Sequence, residues 1–221
     1  MRDHPRLGAR HPPSDSEPDI SDAYKAAVAG ALRWAWERVR ALWPEVVTNG
    51  REEEITERMC RVLNEQGADN KRLAPGLDSF ETVARGAKVL SSDGRIEKAP
   101  DLVFRPVATP GVRHRGDWGV FVECKIIAPE SNHSPKQYCQ NGVARFAQGE
   151  YAHRMPSAAM LAYVRDGRRP HATLSSLLDS TYATQAHHAG ATNDTSRSRH
   201  GRGSLRQPCV DITLTHLWLD A

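Results

Sequence analysis

The 221-residue sequence has little cysteine and no closely spaced cysteine pair. Its four cysteines lie far apart in the chain: Cys60, Cys124, Cys139 and Cys209. A zinc ribbon needs C-x-x-C pairs, and a disulfide framework needs dense, regular cysteine spacing. Neither class is expected here, and the thiols are expected to be reduced, as in an intracellular protein.

Long apolar runs are also missing. No segment approaches the about 18 consecutive apolar residues of a membrane span. The N-terminal residues include Arg and His but no apolar h-region, so no secretory signal is visible and a cytoplasmic location is expected. Hydrophobic residues make up 39% of the chain, which agrees with polar, disordered segments attached to a folded region.

Strong charge of one sign is absent, because the formal net charge is only +3. A mildly basic balance permits nucleic-acid binding, but local clusters have to carry that argument. Residues 1–18 are rich in Pro, Arg, His, Asp and Ser, which predicts a disordered arm. Residues 19–221 are expected to form a single α/β domain with a flexible basic loop at about 190–207.

Hydrophobic periodicity predicts an alternation of helices and strands. The predicted helices cover residues 19–43, 51–66, 135–155 and 172–187, and the predicted strands cover 80–90, 99–104, 120–127, 157–164 and 209–219, the last at a sheet edge. A hairpin makes its two strands antiparallel, whereas a β-α-β crossover makes them parallel. The order therefore predicts a mixed sheet flanked by helices on both faces.

Two of the predicted strands carry charge inside apolar runs. Asp101 stands in Ala-Pro-Asp-Leu-Val-Phe, and Glu123 and Lys125 stand in Val-Phe-Val-Glu-Cys-Lys-Ile-Ile. Side chains alternate along a strand, so Glu123 and Lys125 point to the same face. Buried ionised groups are costly unless they are paired or bind a metal. Two carboxylates suit Mg²⁺, which takes only one or two carboxylates from a protein.

Pro100-Asp101 followed by Glu123-Cys124-Lys125 resembles the signature of the PD-(D/E)xK nuclease superfamily, which has the restriction-endonuclease-like fold. The resemblance covers roughly Glu52 to Val164. It implies a Mg²⁺-dependent nuclease, with Mn²⁺ as a substitute and DNA as the favoured substrate, acting in restriction or phage defence.

The resemblance also implies roles for individual residues. Asp101 and Glu123 would bind the metal together with the backbone carbonyl of Cys124, and Lys125 would orient water or stabilise charge. Superfamily members often place a glutamate on the first core helix, and Glu52 lies at the edge of the apolar face of that helix, with Glu53 as the second choice. The catalytic set that the resemblance implies is Asp101, Glu123, Lys125 and Glu52.

Two further groups are candidates for nucleic-acid binding. The predicted basic loop contains Arg197, Arg199, Arg202 and Arg206, which could follow the phosphate backbone, although a solvated insertion explains them equally well. The resemblance implies that the helix after the Glu-x-Lys strand lends polar residues, here Gln148 and Tyr151. Cutting both strands of a duplex with one site per chain would need a homodimer, and no separate specificity domain is visible, so a partner subunit is a second possibility.

Alternative interpretations remain open at the level of sequence. Asp101, Glu123 and Lys125 could form a structural ion network without metal. The chain could be a non-catalytic nuclease-fold subunit that binds DNA or acts as a scaffold, or a metal-dependent hydrolase of another phosphoester. Retention of all three signature residues favours the nuclease, because degenerate members of the superfamily usually lose one.

Overall fold

The computed structural model describes residues 16–96, 98–108, 111–129, 131–178, 182–202 and 209–221. The helices are α1 (Asp22–Leu42), α2 (Pro44–Asn49), α3 (Glu52–Leu63), α4 (Pro135–Tyr138), α5 (Ala144–Ala147) and α6 (Pro170–Leu174), with a π-helical turn at Cys139–Val143 between α4 and α5. The strands are β1 (Ala84–Arg85), β2 (Leu102–Phe104), β3 (Val120–Ile127), β4 (Ser157–Val164), β5 (Thr184–Ala189), β6 (Thr195–Gly201) and β7 (Asp211–Asp220).

The described strands form one seven-stranded sheet in the order β1-β2-β3-β4-β7-β6-β5. The β3–β4 and β4–β7 pairs are parallel, and the remaining pairs are antiparallel. Helices cover both faces: Trp36 of α1 stacks on Tyr163, whereas Tyr138 of α4 hydrogen-bonds His216. Met160 is paired with His216, so Tyr163 points to the opposite face. The mixed α/β architecture predicted from the sequence is confirmed.

The N-terminal helices follow the sequence signals closely. Ser21 caps α1 by accepting a hydrogen bond from the backbone of Tyr24, and a stripe of apolar side chains on α1 is buried. Pro44 ends α1 as predicted, but it also occupies the first turn of α2, where its missing N–H costs nothing. The second predicted helix, α3, ends at Leu63 and is therefore shorter than the predicted 51–66.

Several predicted elements in the second half of the chain are wrong. The helix predicted at 172–187 is only the short α6, and 184–189 is strand β5. The predicted flexible loop at about 190–207 contains strand β6, and the predicted edge strand β7 lies inside the sheet between β4 and β6. The inward-facing residues of β6 are the polar Ser196, Ser198 and His200, all buried. Their polarity hides the apolar–polar alternation by which a strand is normally detected.

Smaller corrections concern the hairpin and the helix after β3. Only Ala84–Arg85 of the strand predicted at 80–90 forms a ladder with β2; Phe80 and Val89 make isolated bridges. The helix predicted at 135–155 ends at Ala147. The two strands of the predicted hairpin are antiparallel neighbours, as predicted, but the regular ladder between β1 and β2 has only two residue pairs.

The N-terminal arm is structured at its C-terminal end. Residues 1–15 of the predicted disordered arm lie outside the described residues. Glu17 is buried, and its carboxylate accepts hydrogen bonds from the backbone N–H groups of Arg113 and His114. The indole of Trp118 donates to the carbonyl of Pro18. The boundary predicted at residue 18 is therefore too late by at least two residues.

A search of the described helices finds none that is both long and apolar enough to cross a membrane.

Candidate active site

The candidate site forms where β2 stops pairing with β3. The ladder between these strands ends with Leu102 opposite Val122, so the next N–H groups along that edge of β3 have no strand to bind. Carboxylates take the place of the missing strand: Asp101 Oδ2 accepts from the N–H of Cys124 at 2.7 Å, and Glu52 Oε2 accepts from the N–H of Ile126 at 3.1 Å. The edge of β3 thus places both acids beside Glu123 and Lys125.

Lys125 links the acidic residues of the site. Its Nζ donates to Glu52 Oε1 at 2.8 Å and to the carbonyl oxygen of Cys124 at 2.6 Å, and it lies 3.0 Å from Glu123 Oε1. The structure therefore brings together the four residues expected to be catalytic, and the residue of α3 that reaches the site is Glu52 rather than Glu53. The side chain of Cys124 is buried, and its backbone carbonyl accepts a hydrogen bond from Lys125.

Burial strongly perturbs the ionisation of Glu123, which is only 1% exposed. Loss of hydration raises its pKa to about 7, and the charge of Asp101 adds to the rise, although Lys125 and Arg145 oppose it. Burial alone would lower the pKa of Lys125, but Glu123, Glu52 and Asp101 outweigh it and the pKa is raised. Lys125 is therefore a permanent cation of the site.

A second cation, Arg145, contacts Glu123 and was not predicted from the sequence. Its Nη1 lies 2.8 Å from Glu123 Oε1 and donates to Tyr151 Oη at 2.7 Å. The attraction of Glu123 and of Tyr151 raises the pKa of Arg145 above its ordinary value despite partial burial. The arginine stands within the helix that was predicted after the Glu-x-Lys strand, but nothing in the neighbouring sequence indicates that it faces Glu123.

The π-helical turn explains how α5 brings Arg145 to the site. Ser134 caps α4 and Pro135 occupies its first turn, as the sequence predicted. The turn at Cys139–Val143 then shifts the helical register, a feature common near functional sites. A side chain at Gly142 would collide with Met160 and would touch Lys125, so glycine allows the helix to pack closely on β3 and β4.

The oxygen atoms of the site fit a hard divalent cation. Glu123 Oε2 is buried and has no hydrogen-bond partner among the described residues, which is costly unless a cation or a water is bound there. Asp101, Glu123 and the Cys124 carbonyl supply oxygen ligands of the kind that Mg²⁺ prefers. The described part of the chain holds no group of three or more His, Cys, Asp or Glu arranged for a metal. Such a group is not required, because Mg²⁺ keeps several of its waters.

The two residues expected after the Glu-x-Lys strand have different surroundings. Tyr151 is buried and its hydroxyl accepts a hydrogen bond from Arg145, so the expected contact of Tyr151 with nucleic acid is wrong for this structure. Burial raises the pKa of Tyr151 to about 12, with Glu123 adding to the rise, and its hydroxyl stays protonated. Gln148 lines a cavity of about 390 Å³ beside the site, together with Arg95 and Lys98.

The predicted arginine cluster is divided by the structure. Arg202 is buried, and its guanidinium donates to the carbonyl oxygens of Phe146, Tyr151, Ala152 and Met155. The expectation that Arg202 contacts phosphate is therefore wrong, because its donors are already used inside the protein. Arg206 lies outside the described residues.

Arg197 and Arg199 are exposed on β6, which is three strands from β3 in the sheet. Arg197 is paired with Thr215, and Thr215 with Ala159, whereas Glu123 is paired with the next residue, Met160. The two arginines therefore project from the sheet face opposite to that of Glu123. Arg199 also forms an ion pair with Asp211 at 2.5 Å. The structure does not bring them to the candidate site.

Comparisons with family models, with curated proteins and with solved structures give no match for this chain.

Proposed function

We propose that the chain is a Mg²⁺-dependent nuclease of the PD-(D/E)xK type that hydrolyses phosphodiester bonds, with DNA as the favoured substrate and restriction or phage defence as its role. The observation that carries the proposal is the convergence of Asp101, Glu123 and Lys125 at the end of the β2–β3 ladder, with Glu52 as a fourth member. A buried carboxylate oxygen without a partner, Glu123 Oε2, supports a cation at this point.

The residues of the site suit the demands of phosphodiester hydrolysis. Asp101, Glu123 and the Cys124 carbonyl would hold the cation, which supplies a Lewis acid and a water of lowered pKa when bound. Lys125 cannot bind a cation, and its ammonium lies 3.0 Å from Glu123 Oε1, where it would orient the attacking water or stabilise the charge that develops on the phosphate. Glu52 keeps Lys125 in position and is itself fixed by the N–H of Ile126.

A second candidate function is a nuclease-fold subunit that binds DNA without cleaving it. The observation that favours it is that Glu123 already has two cationic partners, Lys125 and Arg145. A buried ion network of this kind seldom stabilises a protein more than apolar packing at the same place would. Stability alone is therefore a weak reason for the chain to have this network.

The variant Lys125→Ala separates the two functions. A nuclease should lose roughly a hundred- to a thousandfold in cleavage rate, since a preorganised charge at the transition state is removed. Its melting temperature should change little, because Glu123 keeps Arg145 and Glu52 keeps the N–H of Ile126. Cleavage in Mg²⁺ and thermal unfolding are measured on the same preparations.

Lys71→Ala is the control, since Lys71 is exposed in the loop after α3; it should cleave like the wild type. A wild type without cleavage, together with early melting of Lys125→Ala, would instead identify the network as structural. That result would remove the nuclease proposal.

A further inference from the structure

The charges around Glu123 do not balance in the protein alone. Three carboxylates, Asp101, Glu123 and Glu52, meet two cations, Lys125 and Arg145. When all five are ionised, the cluster has a net charge of −1. Addition of a divalent cation changes this to +1, which matches the single negative charge of a phosphodiester. Glu150 approaches Arg145 at 3.9 Å but lies closer to Lys98, at 3.5 Å, and that pair is neutral by itself.

The two cations of the cluster are held in different ways. Lys125 is 14% exposed and is surrounded by acceptors from Glu52, Glu123 and Cys124. Arg145 is 37% exposed, and the hydrogen bonds of its guanidinium to the described residues all come from Nη1. A guanidinium has five N–H donors in a planar fork. The other N–H groups of Arg145 are therefore not used by the described residues, and its exposed side can donate them to a substrate.

Tyr151 gives Arg145 an anchor that does not depend on Glu123. Its hydroxyl accepts from Nη1, and the guanidinium lies 5.8 Å from the centre of the Tyr151 ring. Because the ring is buried against Phe146 at a centroid distance of 5.6 Å, this anchor is rigid. Arg145 can release Glu123 while its guanidinium stays at the mouth of the site.

We propose that Arg145 is the phosphate-binding residue of this site and serves as the counter-ion of Glu123 only until a divalent cation is bound. In the cation-bound protein Arg145 releases Glu123 Oε1, keeps its bond to Tyr151, and turns its free donors to a non-bridging oxygen of the substrate phosphodiester. Arginine suits this role because its fork binds phosphate bidentately. The inference rests on the proposed nuclease function and adds the residue that binds the substrate.

Competition for Glu123 gives the proposal a distinctive signature. Removal of the Arg145 charge should tighten Mg²⁺ binding, because a repelling cation and a competitor for Glu123 are lost together. The same change should weaken the binding of nucleic acid. A residue with only a structural role would not move the two affinities in opposite directions, since a damaged site binds both ligands less well.

The experiment measures Mg²⁺ affinity by calorimetry and the KM for a cleaved oligonucleotide, in the wild type and in Arg145→Gln. Mg²⁺ should bind about tenfold more tightly to the variant, as expected for loss of one nearby, partly solvated charge. The KM should rise by about tenfold or more, because a charged contact to phosphate is lost. Tyr151→Phe removes only the anchor; its KM should rise by less than that of Arg145→Gln, and its Mg²⁺ affinity should change little, because the charge of Arg145 beside Glu123 is retained.

Arg33→Gln is a matched control. Arg33 is 38% exposed and pairs with Asp194 at 2.7 Å, far from the site along the sheet, so its removal should change neither affinity. If the wild type binds Mg²⁺ and cleaves, but Arg145→Gln binds Mg²⁺ no more tightly or keeps its KM, the inference about Arg145 is overturned and the nuclease proposal stands. A wild type that neither binds Mg²⁺ nor cleaves would overturn both.

Discussion

Two buried charged residues, Glu123 and Arg202, show how differently the fold can accommodate an ion. Glu123 has cationic partners on Oε1 but none for Oε2 among the described residues. Arg202 makes five hydrogen bonds, all to backbone carbonyl oxygens. Burial lowers its pKa to about 10, and it therefore remains charged at neutral pH.

Arg202 has a structural role that includes the candidate site. Its hydrogen bonds hold the end of α5 and the segment that carries Tyr151, and these in turn fix Arg145. A guanidinium reaches carbonyl oxygens in several directions at once, and no other side chain can replace that pattern. Arg202 is thus a positioning residue rather than a ligand of nucleic acid.

Arg202→Met should destabilise the protein, because buried carbonyl oxygens lose their donors. Such losses cost about 2–4 kcal/mol in total, which corresponds to a fall in melting temperature of about 5–10 °C for a chain of this size. Thermal unfolding followed by circular dichroism measures the change. Arg197→Met, a change of an exposed arginine on β6, is the control, and equal melting of the two variants would contradict the role assigned to Arg202.

Among the elements, β6 and β7 are joined by a buried chain of polar groups. Tyr138 Oη lies 2.7 Å from His216 Nδ1, His216 Nε2 lies 2.7 Å from Ser198 Oγ, and Ser198 Oγ lies 2.7 Å from His200 Nε2. His200 Nδ1 lies 3.0 Å from the carbonyl oxygen of Tyr182. That carbonyl can only accept, so His200 Nδ1 carries a proton and donates it. With neutral imidazoles, the Ser198 hydroxyl then donates to His200 Nε2, and His216 Nε2 donates to Ser198 Oγ. The Tyr138 phenol donates to His216 Nδ1.

Protonation of either imidazole would break this chain, so acid should destabilise the fold. Burial lowers the pKa of His200 to about 4, with smaller effects of Arg202 and His187, and burial also lowers the pKa of His216 well below its ordinary value. The unfolded chain takes up these protons near pH 6.5 and the folded protein does not. Stability is therefore complete above pH 6.5 and is lost as the pH falls, by about 3 kcal/mol near pH 4 for His200 alone.

Denaturant unfolding between pH 7.5 and 4.5 tests this prediction. His200→Gln should be less stable at pH 7.5 but should lose less stability on acidification, because one buried imidazole is gone. His188→Gln, on the exposed side of β5, should keep the pH dependence of the wild type. Equal pH dependence in all three proteins would exclude His200 as its source.

The same elements show what a sequence can and cannot predict. Strand β4 was predicted at its observed bounds, since an uninterrupted apolar run signals a strand buried on both faces. Strand β6 was missed because its buried residues are Ser196, Ser198 and His200, whose burial depends on partners in β7 and α4. Asp101, Glu123 and Lys125 could be selected because charges in apolar runs are conspicuous. Arg145 could not, because its position depends on the π-helical turn and on the close approach at Gly142.

Across the whole molecule, the candidate site lies near one side of the sheet and the exposed arginines of β6 near the other. Three strand spacings separate β3 from β6, a distance of about 15 Å. With a net charge of only +3, no strong overall field draws nucleic acid to the protein. Under the proposed function, binding of nucleic acid should therefore depend on local contacts at the site, foremost those of Lys125 and Arg145.

Cleavage of nucleic acid is the most direct test of the central claim that this cluster is a divalent-cation-dependent nuclease centre. Purified protein is incubated with duplex DNA, single-stranded DNA and RNA in Mg²⁺, in Mn²⁺ and in a chelator, beside Asp101→Asn and the exposed control Asp69→Asn. We expect cleavage with either cation, best on DNA, none with the chelator, and none by Asp101→Asn. Absence of cleavage on every substrate, or full activity of Asp101→Asn, would contradict it.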